Sequence, residues 1–235
     1  MACPIWFPLT AAKRLTTPPM TPAPPEFPDH TAAERVVDAL VHALGLAGAS
    51  VAVSLLLAHS EPAATGGQLA ALVVYGLGLL GMLFASALYN LTRAGGSKAM
   101  LQQLDHAMIF VMIAGSYTPF AVNALRPGLG VPLCVAVWLL AATGVGLRLM
   151  WERIFARISL GLYLGMGWLV LAVLPPLAAA VPGSVFVLLL LGGVVYSLGS
   201  LVHAQARVPF YNAAWHAMVV VAAALHLAAV AGLPP

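Results

Sequence analysis

Seven stretches of the chain are almost entirely apolar, and each is about as long as a helix that crosses a lipid bilayer. They lie at about residues 37–58, 69–91, 102–123, 129–149, 157–178, 184–204 and 211–232. A helix needs about 20 apolar residues to span roughly 30 Å of hydrocarbon, and each stretch meets that requirement. The pattern therefore predicts an all-α membrane protein, built as a bundle of seven transmembrane helices.

The connections between these stretches are short and contain residues that end or begin helices. They include Pro62, Gly95, Gly96, Pro127, Pro182 and Gly183. We expect regular structure to begin at Thr31, because Thr31 and Glu34 have the spacing of a capping box in front of the first apolar stretch. Residues 31–235 are therefore interpreted as one seven-helix domain, with no soluble domain beside it.

The first 30 residues have a different composition from the rest of the chain. They are rich in proline and threonine, as in the run from Thr16 to Pro19, and they have no helical period. Prolines also interrupt the apolar run that a signal peptide would place after Lys13 and Arg14. We predict a disordered tail over residues 1–30.

Composition supports the membrane interpretation and excludes several other classes. The chain is 62% hydrophobic and only 7% charged, with a mean hydropathy of +0.98, whereas a soluble domain has roughly 25% charged residues. So few charges do not form a nucleic-acid-binding patch, and we expect the partner to be the lipid bilayer. Cys3 and Cys134 have no spacing typical of a metal site. We therefore predict a multi-pass protein of the cell membrane.

The distribution of cations predicts the orientation of the bundle. With the N-terminus in the cytoplasm, the inner regions hold Lys13, Arg14, Arg35, Arg93, Lys98, Arg148, Arg153, Arg157 and Arg207, and the outer regions hold Arg126. Cytoplasmic loops of membrane proteins are enriched in Lys and Arg. The pattern therefore favours a cytoplasmic N-terminus and an external C-terminus, which is opposite to the orientation of a G-protein-coupled receptor.

Five polar residues lie at matching depths in three of the apolar stretches. Ser86 and Asn90 end the second stretch, Asp105 begins the third, and Asn212 and His216 begin the seventh. Residues four apart share a helical face, so these side chains are expected to meet near the cytoplasmic side. A carboxylate at membrane depth costs about 3 kcal/mol on insertion scales, so Asp105 is expected to have a partner among them. Both a structural polar plug and a functional site are consistent with this pattern.

The other titratable residues give weaker evidence of function when only the sequence is considered. Asp38 and His42 are four apart in the first stretch, which is compatible with a proton-handling pair, but we favour an interfacial helix start. His106 is displaced about 100° around the helix from its neighbour Asp105, so it is expected to face an adjacent helix. His226 is expected to lie near the outer face, away from His216.

Several segments together resemble the haemolysin III family. They are Glu34–His42, Ser86–Tyr89, Leu104–Phe120, Gly192–Gly199 and Trp215–His216. The match covers about residues 34–226 in the family's order and spacing, and the block from Asp105 to Phe120 is specific to it. The wider relatives are the progestin and adiponectin receptors and, more distantly, the alkaline ceramidases.

The resemblance implies a zinc ion held by three histidines, one on the second span and two on the seventh. It also implies a serine and an aspartate beside the metal, which correspond to Ser86 and Asp105 as the catalytic residues. Of the three ligands only His216 is a histidine, and the other two positions hold Asn90 and Asn212. Zinc sites use imidazole, thiolate or carboxylate, so this departure predicts a site that has lost its zinc.

Two hypotheses about function follow. The first is a non-catalytic membrane protein of the haemolysin III type, whose polar site is disabled for metal; the name of the family implies cytolysis, yet no charged stripe or amphipathic insertion helix is present. The alternative is a zinc-dependent intramembrane hydrolase of lipid amides, with Asp105 as its acid–base group. Either one is compatible with a lipid ligand inside the bundle, and neither predicts an oligomeric state.

Overall fold

The computed structural model describes residues 30–60, 65–93, 95–204 and 208–234. They form seven helices that are long and apolar enough to cross a membrane: α1 Ala32–Ala58, α2 Gly66–Leu91, α3 Lys98–Ala124, α4 Pro127–Met150, α5 Glu152–Ala180, α6 Gly183–His203 and α7 Tyr211–Ala231. Each predicted stretch overlaps its helix along nearly its whole length, so the prediction of a seven-helix bundle is confirmed. The predicted tail over residues 1–30 lies, except for His30, outside the described residues and stays a prediction.

The first helix begins where its capping box predicts. The hydroxyl of Thr31 accepts a hydrogen bond from the backbone N–H of Glu34 (3.2 Å), and the Glu34 carboxylate accepts one from the N–H of Thr31 (2.8 Å). The same carboxylate accepts a hydrogen bond from the N–H of Phe210 at 2.8 Å. The cap therefore satisfies the open N–H groups of α1 and also joins the beginning of α1 to the beginning of α7.

Two helices depart from regular α geometry along part of their length. The third helix is α-helical as far as Pro119 and then continues as a π-helical turn over Phe120–Ala124, and α5 contains a 3₁₀ segment over Trp168–Val173. The Tyr117 hydroxyl accepts from the N–H of Val170 (2.7 Å) and donates to the carbonyl of Met166 (2.9 Å). One side chain thus satisfies backbone groups at the irregular part of α5, which is a requirement inside a membrane.

The centre of the bundle is packed around the aromatic ring of Phe110, which is fully buried in α3. The ring centroid lies 4.6 Å from that of Tyr163 in α5. On the α4 side the ring touches Gly144, where a Cβ atom would come within 2.4 Å of it. Side chains on the outer surface of the bundle are apolar too, including Leu44, Leu77 and Leu139, as expected for helices surrounded by lipid.

The order of packing places three helix ends beside one another. Consecutive helices pack against each other, and α7 packs against both α6 and α1. Because α1 also packs against α2, the start of α1, the end of α2 and the start of α7 form one polar end of the bundle. The sequence pattern predicts that this end faces the cytoplasm.

We expect topology reporters to support this orientation. Fusions in the connection between α2 and α3, and between α4 and α5, should report a cytoplasmic location, whereas a fusion after α7 should report an external one. The physical reason is the excess of Lys and Arg in the connections at the polar end. A cytoplasmic C-terminus would contradict the predicted orientation.

Candidate functional site

Six polar side chains meet at the polar end of the bundle, and we call them the polar cluster. They form three pairs, each four residues apart: Asp38 and His42 in α1, Ser86 and Asn90 in α2, and Asn212 and His216 in α7. A spacing of four residues places both members of a pair on one helical face. Because α1, α2 and α7 are neighbours at this end, the three pairs face one another.

His216 occupies the middle of the polar cluster. Its Nδ1 lies 2.6 Å from Oδ1 of Asp38, and both side chains are buried. A carboxylate can only accept a hydrogen bond, so the Nδ1–H group of the imidazole is the donor. The opposite nitrogen, Nε2, then presents a lone pair to the Ser86 hydroxyl at 3.5 Å and to the Asn90 amide at 3.4 Å.

His42 approaches the same hydroxyl from α1. Its Nδ1–H donates to the backbone carbonyl of Asp38 (2.8 Å), which leaves Nε2 as an acceptor 3.2 Å from Oγ of Ser86. The two imidazole rings lie edge to face, with centroids 4.3 Å apart. Two unprotonated nitrogens therefore converge on one hydroxyl group, whose single proton is also within reach of the Asp105 carboxylate.

The two asparagines place amide N–H groups inside the polar cluster. Nδ2 of Asn90 donates to the backbone carbonyl of Ser86 at 2.9 Å. Nδ2 of Asn212 donates to Oδ2 of Asp38 (3.3 Å) and to Oδ1 of Asn90 (3.2 Å). Carbonyl and carboxylate oxygens accept and do not donate, so these contacts determine which way each amide points.

Asp105, the polar residue predicted from the third apolar stretch, contacts the polar cluster through Ser86. Its carboxylate interacts with the Ser86 hydroxyl, and Ser86 is one of the partners expected for it from the sequence. Asp105 and Ser86 both line the cavity described below. The structure thus brings Ser86, Asn90, Asn212 and His216 into direct contact, with Asp105 beside them.

The contribution of α1 to the site differs from the sequence interpretation. Asp38 and His42 were expected to mark an interfacial helix start, but both are buried, with 6% and 5% of their surface exposed. The difference arises from tertiary packing, because α2 and α7 cover α1 at this end of the bundle. The signal was present in the sequence, since this pair has the same spacing as the other two.

Two other histidines, His106 and His226, make their contacts away from the polar cluster. The ring of His106 stacks on Phe155, with centroids 5.7 Å apart, and Nε2 of His226 contacts the carbonyl of Leu189 at 3.1 Å. Both placements agree with the sequence expectation that these two histidines stand apart from the predicted metal site.

A cavity of about 790 Å³ leads from the polar cluster along the inside of the bundle. At the polar end it is lined by His42, Ser86, Asn90, Asp105, Asn212 and His216, and towards the other end by Phe120, Leu133, Val173, Leu177 and Leu189. Its volume falls within the range of about 300–1,000 Å³ that is usual for ligand pockets. The cavity is therefore mostly apolar, with hydrogen-bonding groups gathered at one end.

Comparison with known proteins identifies the chain. A family model described as haemolysin-III related matches residues 31–227. The chain belongs to the haemolysin III-related family. The resemblance seen in the sequence is confirmed, and with seven helices of membrane-spanning length in the described residues the chain is a multi-pass membrane protein.

Curated relatives extend from bacteria to mammals. The chain is 32% identical over 189 residues to the hemolysin-3 homolog of Bacillus subtilis, covering 80% of this chain and 89% of the relative. It is 34% identical over 187 residues to hemolysin-3 of Bacillus cereus, covering 79% and 85%. The human monocyte to macrophage differentiation factor is 28% identical over 168 residues, 67% of each chain. No solved structure matches the chain.

The donor groups of the polar cluster do not suit the zinc ion that the family implies. At two of the three ligand positions, Asn90 and Asn212 direct N–H groups into the cluster, where a metal requires lone pairs.

A different group, Asp38, His42 and His216, has potential ligand atoms within 4.8 Å of one another. However, the 2.6 Å contact between Asp38 and His216 is shorter than the separation of about 3.3 Å between two ligands of a tetrahedral zinc with bonds of about 2.0 Å. As arranged, these two atoms are joined by a hydrogen bond, and they would have to separate before both could bind one zinc ion.

Proposed function

We propose that this haemolysin III-type protein binds a long-chain acyl lipid inside its helix bundle and that its polar cluster works without the zinc of the family. The observation that carries the proposal is the orientation of the Asn90 and Asn212 amides, which fill two ligand positions with hydrogen-bond donors. Each amide is satisfied by an acceptor within the cluster. A closed hydrogen-bond network of this kind is stable without a metal.

The shape and lining of the cavity support a lipid as the ligand. An acyl chain would lie against the apolar side chains towards the far end, such as Leu133 and Leu177, while its polar group would reach Ser86 and Asn90. Such a ligand matches the cavity at both ends. Its acyl chain is removed from water by the apolar side chains, and its polar group keeps hydrogen bonds to the polar side chains. In the predicted orientation the polar group would lie near the cytoplasmic side.

Lipid binding is tested with a fluorescent polyene fatty acid, cis-parinaric acid, added to the protein in detergent. We expect saturable binding with energy transfer from Trp168 and Trp215, whose side chains line the cavity. The substitution Ser116→Phe should weaken binding by at least tenfold, because Ser116 lines the cavity and a ring there would occupy its volume.

The matched control is Val122→Phe in the same helix, at a position that is 44% exposed and that does not line the cavity. It should bind the probe as well as the unchanged protein does. Equal binding by all three proteins would place the fatty acid on the outer surface and would contradict the proposal.

A second candidate function is the zinc-dependent hydrolysis of lipid amides. It is favoured by the gathering of Asp38, His42 and His216, which are three buried side chains of ligating type. To hold one ion they would have to separate at the Asp38–His216 contact. This candidate predicts stoichiometric zinc in the unchanged protein, loss of that zinc in a His42→Phe variant, and lipid-amide cleavage that stops on chelation.

A further inference from the structure

Ser86, His216 and Asp38 are connected in a row, and each comes from a different helix. The Asp38 carboxylate accepts a hydrogen bond from Nδ1 of His216 at 2.6 Å, and Nε2 of His216 lies 3.5 Å from Oγ of Ser86. The order carboxylate, imidazole and hydroxyl is the arrangement that activates a serine as a nucleophile. A contact of 3.5 Å is compatible with this function, since such hydrogen bonds are often long before the substrate binds.

The positions of the three residues relative to the cavity also suit a nucleophile. Ser86 and His216 line the cavity, whereas Asp38 does not and contacts the opposite nitrogen of the His216 ring. The Oδ2 atom of Asp38 is held in addition by the Asn212 amide at 3.3 Å. A ligand in the cavity therefore meets the hydroxyl and the imidazole, while the carboxylate remains fixed on the far side of the ring.

The Asp105 carboxylate and two imidazoles reach the Ser86 hydroxyl, and of these groups only an imidazole can later return the proton readily to a leaving group. The surroundings of the two imidazoles distinguish them. The Nδ1–H group of His42 donates to a neutral backbone carbonyl, whereas that of His216 donates to a carboxylate. An imidazole that takes the serine proton becomes a cation, and the negative charge of Asp38 stabilises that cation more strongly in His216, whose Nδ1 lies 2.6 Å from Oδ1, than in His42, whose Nδ1 lies 3.7 Å from it. We therefore assign the role of general base to His216 and the role of a second acceptor for the hydroxyl to His42.

We propose that Ser86 is the nucleophile of a metal-independent acyl transfer, in which an acyl lipid with an ester or amide carbonyl reacts in the cavity. Oγ of Ser86 bonds to the carbonyl carbon, and the hydroxyl proton passes to Nε2 of His216. The bond from that carbon to the leaving oxygen or nitrogen breaks, and the leaving group takes the proton. Water then releases the acid by the same transfers, which restores Ser86. The inference rests on the proposed function, since it requires an acyl lipid in the cavity.

The Asn90 amide has a direct part in this reaction. Its Nδ2 lies 3.4 Å from Oγ of Ser86, close to where the carbonyl oxygen gains negative charge as Oγ attacks. One N–H of this amide donates to the Ser86 carbonyl. The other faces Nε2 of His216 and Oγ of Ser86, and it is released to stabilise the developing charge when Nε2 takes the serine proton. The residue that replaces a metal ligand thus supplies a function that the metal-free reaction needs.

The test uses an alkyl fluorophosphonate with a long chain, a probe that forms a stable bond with an activated serine. We expect the purified full-length protein to be labelled at Ser86, as mapped by peptide mass spectrometry, and labelling to be unaffected by a metal chelator. Ser116, Ser159, Ser197 and Ser200 line the same cavity and provide an internal comparison. They should remain unlabelled, because accessibility without activation does not produce reaction.

Substitutions separate the roles of the three residues. Ser86→Ala should abolish labelling, and His216→Gln should slow it by roughly 10²–10⁴-fold, the usual contribution of a general base. Asp38 is a positioning residue, so Asp38→Asn should slow labelling and Asp38→Glu should recover part of the rate. His42→Gln should have a smaller effect than His216→Gln, and Ser54→Ala, on the exposed face of α1, should have none.

Each variant is compared with the unchanged protein for its thermal unfolding midpoint in detergent and for its binding of parinaric acid. These measurements identify variants that fail to fold. If the folded protein binds the lipid probe but Ser86 is not labelled, the nucleophile inference is overturned and the lipid-binding proposal stands. Labelling that requires zinc, or labelling of several cavity serines at equal rates, would also overturn the inference.

Discussion

The double substitution Asn90→His and Asn212→His is expected to convert the polar cluster into a site that holds about one zinc ion per chain, whereas the unchanged protein should purify with well under one. The three positions are already neighbours, because the Asn90 amide lies 3.4 Å from Nε2 of His216 and 3.2 Å from the Asn212 amide. Two further imidazoles would replace N–H donors by lone pairs. Asp38 and Ser86 would remain beside the site as hydrogen-bond partners.

Zinc content is measured by elemental mass spectrometry and unfolding by a thermal scan with and without added zinc. At a free zinc concentration 100 times the dissociation constant, binding should stabilise the fold by about 2.7 kcal/mol. Each single substitution should bind more weakly than the pair. Asn123→His, in the π-helical turn at the far end of α3, is the control and should bind none. Stoichiometric zinc in the unchanged protein would contradict this prediction and favour the zinc-dependent hydrolase.

The substitution Gly130→Ala is expected to destabilise the bundle by about 3 kcal/mol or more, at the upper end of overpacking effects. A Cβ atom at this position would come within 1.9 Å of the carbonyl oxygen of Ala121. That oxygen belongs to the backbone of the π-helical turn, so it cannot move aside as a flexible side chain would. The turn and the start of α4 would have to separate.

Gly128→Ala is the matched control, since it lies two residues earlier in the same helix and a Cβ atom there meets nothing within 4 Å. Both substitutions reduce the backbone entropy of the unfolded chain equally. In a helix this effect alone stabilises alanine relative to glycine by roughly 0.5–1 kcal/mol. The thermal unfolding midpoint in detergent should therefore fall in the first variant and stay level or rise in the second. A similar midpoint in both would mean that the α3–α4 contact is not as close as described.

The sequence predicted the helices of this protein well because the bilayer imposes a strong condition. A backbone in hydrocarbon must satisfy its own hydrogen bonds, so a long apolar stretch has few alternatives to a helix. The capping box at Thr31 and Glu34 predicted the start of α1 for a similarly local reason. The π-helical turn over Phe120–Ala124 was not predicted in that form, although it directly follows Pro119, which lacks the backbone N–H that a regular helix uses.

The polar cluster was predicted in part. Ser86, Asn90, Asn212 and His216 were placed together from their depth and spacing, and the structure brings them into contact. Asp38 and His42 were assigned to the interface, because a pattern along one helix does not reveal which neighbouring helix covers it. Their burial follows from the packing of α1 against both α2 and α7.

By itself the sequence determined which segments cross the membrane, which family the chain resembles and which two ligand positions hold asparagine, since each of these is a local property of the chain. The tertiary structure decided how the polar atoms pair. Only the approach of α1 to α7 placed the Asp38 carboxylate 2.6 Å from His216, and only α2 placed the Ser86 hydroxyl on the opposite nitrogen of that ring. A hydrogen bond forms only when donor and acceptor lie within a few tenths of an ångström of the ideal separation. For residues far apart in the chain, that separation is set only when the helices pack.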